Sequence, residues 1–64
     1  GGQNVSMIIK DARIFINTIK ETVKRARQTG VDIAMTERSG EDEYELIIKV
    51  RKQKRGTVLT LTKA

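Results

Sequence analysis

Sixty-four residues with no cysteine and no histidine make one small domain. They exclude disulfides and cysteine-ligated zinc, and they remove the commonest metal ligand and the usual proton shuttle. A chain this short buries only about 60% of the surface its unfolded form exposes and usually needs a staple, so self-association is the staple that remains. The net charge of +5 points to a polyanionic partner, nucleic acid first and an anionic membrane surface second.

The first ten residues read as a tag remnant, Gly1-Gly2, and a flexible lead-in, with Met7-Ile8-Ile9 available as a short strand or a hydrophobic staple. Residues 11–64 read as a single domain excised from a longer protein. No signal-peptide layout is visible, and no apolar run approaches the roughly 20 residues needed to span a bilayer. Asp11 is placed to cap a helix, because its carboxylate can accept an orphan backbone N–H. The helix is expected to run to about Thr29. Gly30 then supplies the left-handed residue that ends it, and Arg25 and Arg27 suit the negative end of the helix dipole.

Within the helix, Ala12, Ile16, Ile19, Val23 and Ala26 recur at 4-3-4-3 spacing, and Phe15 widens this seam into a face. Such a face lies on a sheet or meets a second copy of the chain. Lys10, Arg13, Lys20, Lys24 and Arg27 form a basic stripe beside it, which is either an ordinary solvated flank or an anion-binding surface.

Val31, Ile33 and Met35 alternate with polar or small residues as in a half-buried strand, and Ser39-Gly40 marks a turn. Tyr44, Leu46, Ile48 and Val50 alternate in a second strand, most economically paired with the first as a hairpin. Ile47 points away from that apolar set, toward a second cover, a partner or solvent. Residues 57–62 have the β-branched composition of a third strand. The expected fold is α+β: one N-terminal amphipathic helix packed on a small antiparallel sheet of two or three strands, in the order α-β-β-(β), as a homodimer.

No hydrolase, phosphate-loop, zinc-protease or dinucleotide-binding pattern occurs, so no enzyme, metal or cofactor is expected. The acids Glu41, Asp42, Glu43 and Glu45 lack calcium-loop spacing and read as a solvated turn. The densest chemistry is the basic run Lys49, Arg51, Lys52, Lys54 and Arg55. It can bind phosphates or protect a strand edge. Phe15 and Tyr44 both fit core positions, which disfavours a base-stacking platform for single strands.

The order Asp11-Ala12-Arg13-Ile14-Phe15-Ile16-Asn17-Thr18-Ile19, then Val23, then Thr29-Gly30-Val31, then Glu43-Tyr44-Glu45-Leu46-Ile47-Ile48-Lys49-Val50 resembles the C-terminal domain of ParB-type partition proteins, closest to their Noc nucleoid-occlusion branch. The likeness covers about 40 of the 64 residues. In that family this domain is a dimerisation module. It follows a CTP-binding domain and a helix-turn-helix reader, and in some members it holds DNA without sequence preference through surface lysines.

The resemblance implies a cytoplasmic, nucleoid-associated homodimer. Its dimer interface or core would draw on Phe15, Ile16, Ile19, Val23, Tyr44, Leu46 and Ile48. Lys49, Arg51 and Lys52 would meet phosphates, with Lys54 and Arg55 beside them. The family's membrane-targeting helix lies at its N-terminus, so no membrane contact is implied for this segment. A third strand after the second departs from the family pattern, in which a short basic tail follows. The alternatives are a free-standing nucleic-acid-binding or accessory protein of a plasmid or conjugative element, and an adaptor for an acidic protein.

Overall fold

The computed structural model describes residues 2–64; Gly1, half of the expected tag remnant, lies outside them. Five elements follow one another: β1 (Gln3–Ile9), α1 (Ala12–Gln28), β2 (Ile33–Ser39), β3 (Glu43–Val50) and β4 (Thr57–Lys63). The strands form one sheet in the order β1-β4-β3-β2. β2–β3 and β3–β4 are antiparallel, while β1 lies parallel to β4.

The expected two- or three-stranded antiparallel sheet is therefore corrected to a four-stranded mixed one. Residues 3–9, expected as a flexible lead-in, are an edge strand. A parallel pair needs a crossover long enough to return the chain to the same end of the sheet. Here α1 and the β2–β3 hairpin supply it, and β4 then inserts between β3 and β1.

Local chemistry sets the helix ends. The Asp11 carboxylate accepts the Ile14 N–H at 3.2 Å. At the other end Gly30 takes φ +92°. Its N–H donates to the Arg27 carbonyl at 3.1 Å, and that of Val31 donates to the Ala26 carbonyl at 3.0 Å. These two bonds are the Schellman pair, and they satisfy carbonyls that the last helical turn leaves open.

The helix covers one face of the sheet. Ile16 from α1, Leu46 from β3 and Leu61 from β4 are fully buried together, and Ile9, Phe15, Ile19, Tyr44 and Leu59 pack around them. Ala12 and Val23 complete the buried seam. Two polar ties fasten α1 to the β2 side: Lys20 Nζ lies 2.7 Å from Glu37 Oε2, and Arg27 Nε donates to the Ile33 carbonyl at 2.9 Å.

No described element covers the opposite face. Successive residues of a strand alternate between faces. Ile47, out of phase with Leu46 and Ile48, therefore lies on this open face, with Val58 and Thr36 as its cross-strand neighbours.

Leu61 lies in the last strand yet in the middle of the core, so truncating it opens a cavity under α1. Leu61→Ala should cost about 2–5 kcal/mol, as for other fully buried leucines. Urea unfolding at fixed protein concentration checks this, and Thr62→Ala, on the exposed face of the same strand, should stay within about 0.5 kcal/mol of the parent.

Candidate nucleic-acid interface

Charge is sorted along the strands. The acids Glu41, Asp42, Glu43 and Glu45 gather at the β2–β3 hairpin, and the five bases gather at the far end of β3 and in the turn that follows. The eight residues of β3 rise about 3.3 Å each. The two clusters thus sit at opposite ends of a body whose longest extent is 35 Å.

Three of the five bases of the run line one groove. Lys49 is half-buried on the open face, next to the end of β3, and Arg51, Lys52, Lys54 and Arg55 are exposed in the turn. Lys49, Lys54 and Arg55 converge on a groove of about 270 Å3, with Gln3 and Asn4 of β1 on its far wall and Ile47 and Val58 among its lining. Gly2 and Gly56 complete it. Arg51 and Lys52 do not line it. Among the described residues, none of the three groove bases has a carboxylate within ion-pair reach; the pairing that exists, Lys20 with Glu37, is on the helix side.

Backbone geometry holds the groove's walls. A Cβ on Gly56 would overlap the Ile48 carbonyl oxygen, so only glycine lets the turn lie this close to β3. The Gln3 N–H donates to the Gly56 carbonyl at 3.3 Å, joining the start of β1 to the end of the turn. Val50, whose N–H lies beyond the β3–β4 ladder, donates instead to Gln53 Oε1 at 3.1 Å. Arg51 adopts φ +60°, and its N–H donates to the Asp32 carbonyl at 2.6 Å.

Gln3 and Asn4 carried no signal in the sequence, because only the parallel pairing of β1 brings them beside residues 54–58. Phe15 and Tyr44 pack against the buried core, so neither presents a ring to the open face. Ile16, Val23 and Leu46 are enclosed within the single chain; Phe15, Ile19, Tyr44 and Ile48 are half-buried on the helix side. A larger hollow of about 420 Å3 runs along the outer side of α1 between Ile14, Thr18, Thr22 and Arg25. It places Glu21 beside Arg25 and concentrates no charge of one sign.

The helix and the hairpin coincide with a known family. The model of the nucleoid occlusion protein C-terminal domain matches residues 7–49, more than half of the chain, and the chain belongs to that family. It is 38% identical over 47 residues to the nucleoid occlusion proteins of Listeria monocytogenes serotype 4b (strain CLIP80459) and Listeria innocua serovar 6a (strain ATCC BAA-680 / CLIP 11262). Each match covers 73% of this chain and 16% of the relative. The nucleoid occlusion protein of Lysinibacillus sphaericus (strain C3-41) is 33% identical over 48 residues, 75% of this chain and 16% of that protein. The chain thus corresponds to about a sixth of the length of these relatives. No solved structure matches. The matched stretch holds α1, β2 and nearly all of β3, while β4 and most of the groove lie beyond it.

The left-handed backbone at Arg51 gives a test of the turn. A non-glycine residue there carries about 1 kcal/mol of strain, which glycine relieves. Arg51→Gly should therefore raise stability by about 0.5–1 kcal/mol, whereas Arg51→Ala keeps the strain and should be close to neutral. Parallel thermal melts separate the backbone effect from the loss of charge.

Proposed function

We propose that this domain joins two copies of a nucleoid-occlusion-type protein and holds duplex DNA at its basic end without reading sequence. The observation that carries the first part is the contrast between the sheet's two free edges. The β2 edge is charged by Glu37 and Arg38 and tied down at its start by Arg27. The β1 edge, Gln-Asn-Val-Ser-Met-Ile-Ile, has no charge and no proline. Its apolar side chains stay open: Val5 and Met7 are each 38% exposed and Ile8 is 79% exposed. Natural sheets protect free edges with charge, proline or a cover, and an edge lacking all three is built to pair. A second copy adding its own β1 antiparallel across a two-fold axis satisfies both edges with the same residues.

The hydrogen-bond pattern of β1 leaves particular backbone groups free for such pairing. Gln3 and Ile9 direct theirs inward, the Gln3 N–H to the Gly56 carbonyl and the Ile9 carbonyl to the Ala64 N–H. By alternation Asn4, Ser6 and Ile8 direct theirs outward. Joining two chains holds any DNA-binding modules attached to them at high effective concentration. The domain works by binding and not by catalysis, with no cofactor, at the nucleoid. No helix among the described residues is long and apolar enough to cross a membrane.

Sedimentation equilibrium at tens of micromolar should give about twice the 7.2 kDa chain mass. Ser6→Pro removes an outward N–H but no bond to β4, so it should yield a folded monomer. A parent chain still monomeric at millimolar concentration would overturn the pairing, and a dimeric Ser6→Pro variant would move it away from β1.

A further inference from the structure

We propose that the β1-paired form of this chain carries a seat for one amphipathic helix of a partner protein, in the trough between its two α1 helices. The seat rests on the β1 pairing proposed above, which creates it on the helix side of the sheet. Ile16 of α1 is enclosed with Leu46 of β3 and Leu61 of β4, so α1 passes over the gap between those strands. It is tied toward the far side, by Lys20 to Glu37 and by Arg27 to the Ile33 carbonyl, both of β2. β1 is left as a ledge beside the helix. Parallel partners share a face, Val5 with Leu59 and Met7 with Leu61, so Val5 and Met7 belong to the helix side. Each is nonetheless 38% exposed.

The ledge and its wall carry no charge. Successive helical residues turn by about 100°. That puts Lys20 and Arg27 on the flank of α1 facing β2, and Phe15, Ile19, Thr22 and Ala26 on the flank facing β1. Phe15, Ile19 and Ala26 are half-buried. The exposed Thr22 donates its hydroxyl to the Thr18 carbonyl at 2.9 Å, leaving its methyl for contact. Pairing two copies through β1 joins their ledges. At the level of Ile16 each α1 lies one and a half strand spacings from its own β1, and the two β1 strands lie one spacing apart. At about 4.8 Å per spacing, the helix axes are about 19 Å apart. Packed helices lie about 8–10 Å apart, so the trough admits one more helix and not two.

The lining selects the occupant. The backbone groups of β1 point along the sheet, to β4 and to the paired β1, so the floor offers a ligand none of them. An extended peptide laid there would leave its own N–H and C=O groups unpaired, whereas a helix bonds its own. A charged side chain on the contacting face would lose water without gaining a partner. The occupant is therefore a helix with an unbroken apolar stripe at three- and four-residue spacing. The seven residues of β1 span about 23 Å, the length of a helix of about 15 residues. The trough lies on the two-fold axis, so one helix fills it for every two chains.

The probe is a helical peptide of about 15 residues, with leucine at every third or fourth position and balanced lysine and glutamate elsewhere. Titration calorimetry in high salt, where exposed charges are screened, should give one peptide per two chains. The same composition with its leucines moved off the stripe should not bind. Thr22→Lys puts a charge into the wall and should weaken binding about tenfold or more. Asn17→Lys adds the same charge on the opposite flank and should leave binding within about twofold of the parent. Sedimentation should show both variants to be dimers, and circular dichroism should show them folded. Ser6→Pro should lose the peptide together with the dimer. A dimeric parent that ignores the peptide, or whose Thr22→Lys variant binds it equally well, would overturn the seat and leave the β1 pairing standing. A monomeric parent would overturn the pairing and the seat with it. Two peptides per dimer would place binding outside the trough and overturn the seat. A parent that assembles beyond the dimer, and that Thr22→Lys returns to a dimer, would fill the trough with another copy of this chain and overturn the partner helix.

Discussion

Everything in this domain hangs on three side chains. Ile16, Leu46 and Leu61 are the fully enclosed ones, one from the helix and one from each central strand. Removing any of them unfastens α1 from the sheet. Ala12 and Val23 are nearly enclosed as well, while the residues packed around the core, such as Phe15, Ile19, Tyr44 and Leu59, are half-buried, because a single helix cannot cover four twisted strands. Burial of a leucine or isoleucine contributes about 1.5–3 kcal/mol, so each of the three is a large share of the few kcal/mol of net stability a small domain has. The economy of that core gives the exposed β1 edge its meaning: Val5, Met7 and Ile8 are apolar surface that the monomer leaves unburied.

Placing β4 between β3 and β1 has a second consequence. It fills the edge of β3 from within the chain, so the hairpin that matches the family keeps one free edge, that of β2. The charges Glu37 and Arg38 and the tie from Arg27 to the Ile33 carbonyl then guard that edge. The opposite boundary passes to β1, whose outward groups are unguarded. One strand thus supplies part of the core through Leu59 and Leu61 and determines which edge of the sheet meets the outside.

The helix and hairpin were legible because their signals are local. Asp11 and Gly30 lie within one turn of the bonds they make, and the alternation of Tyr44, Leu46, Ile48 and Val50 is a property of seven consecutive residues. β1 was only half visible, as a short strand offered at Met7-Ile8-Ile9, although Val5, Met7 and Ile9 do alternate. The pattern is short, Ile8 interrupts it, and the partner strand is more than fifty positions away, Gln3 opposite Thr57. Nothing local specifies a pairing closed over that distance. The same gap concealed the groove. The basic run could be read as a cluster, but its division into Lys49, Lys54 and Arg55 on one side and Arg51 and Lys52 on the other depends on how residues 51–56 turn. Gly56 was the available clue, since a glycine beside a strand often marks a close backbone approach.

The proposed pairing edge at β1 and the proposed basic end constrain each other. Two copies paired antiparallel through β1 are related by an axis normal to the sheet, so both open faces point the same way and both helices lie behind. Each groove sits by Asn4, near the start of β1, and the two starts lie at opposite ends of the paired strands. Seven residues of strand at about 3.3 Å each set the grooves roughly 20 Å apart along the strand direction, facing a common side. Pairing through the β2 edge would also leave the open faces on one side, but with β2 of each copy between the groove and the axis. The edge through which copies would pair therefore sets the spacing between their basic ends. Both surfaces follow from β1, the strand hardest to see in the sequence.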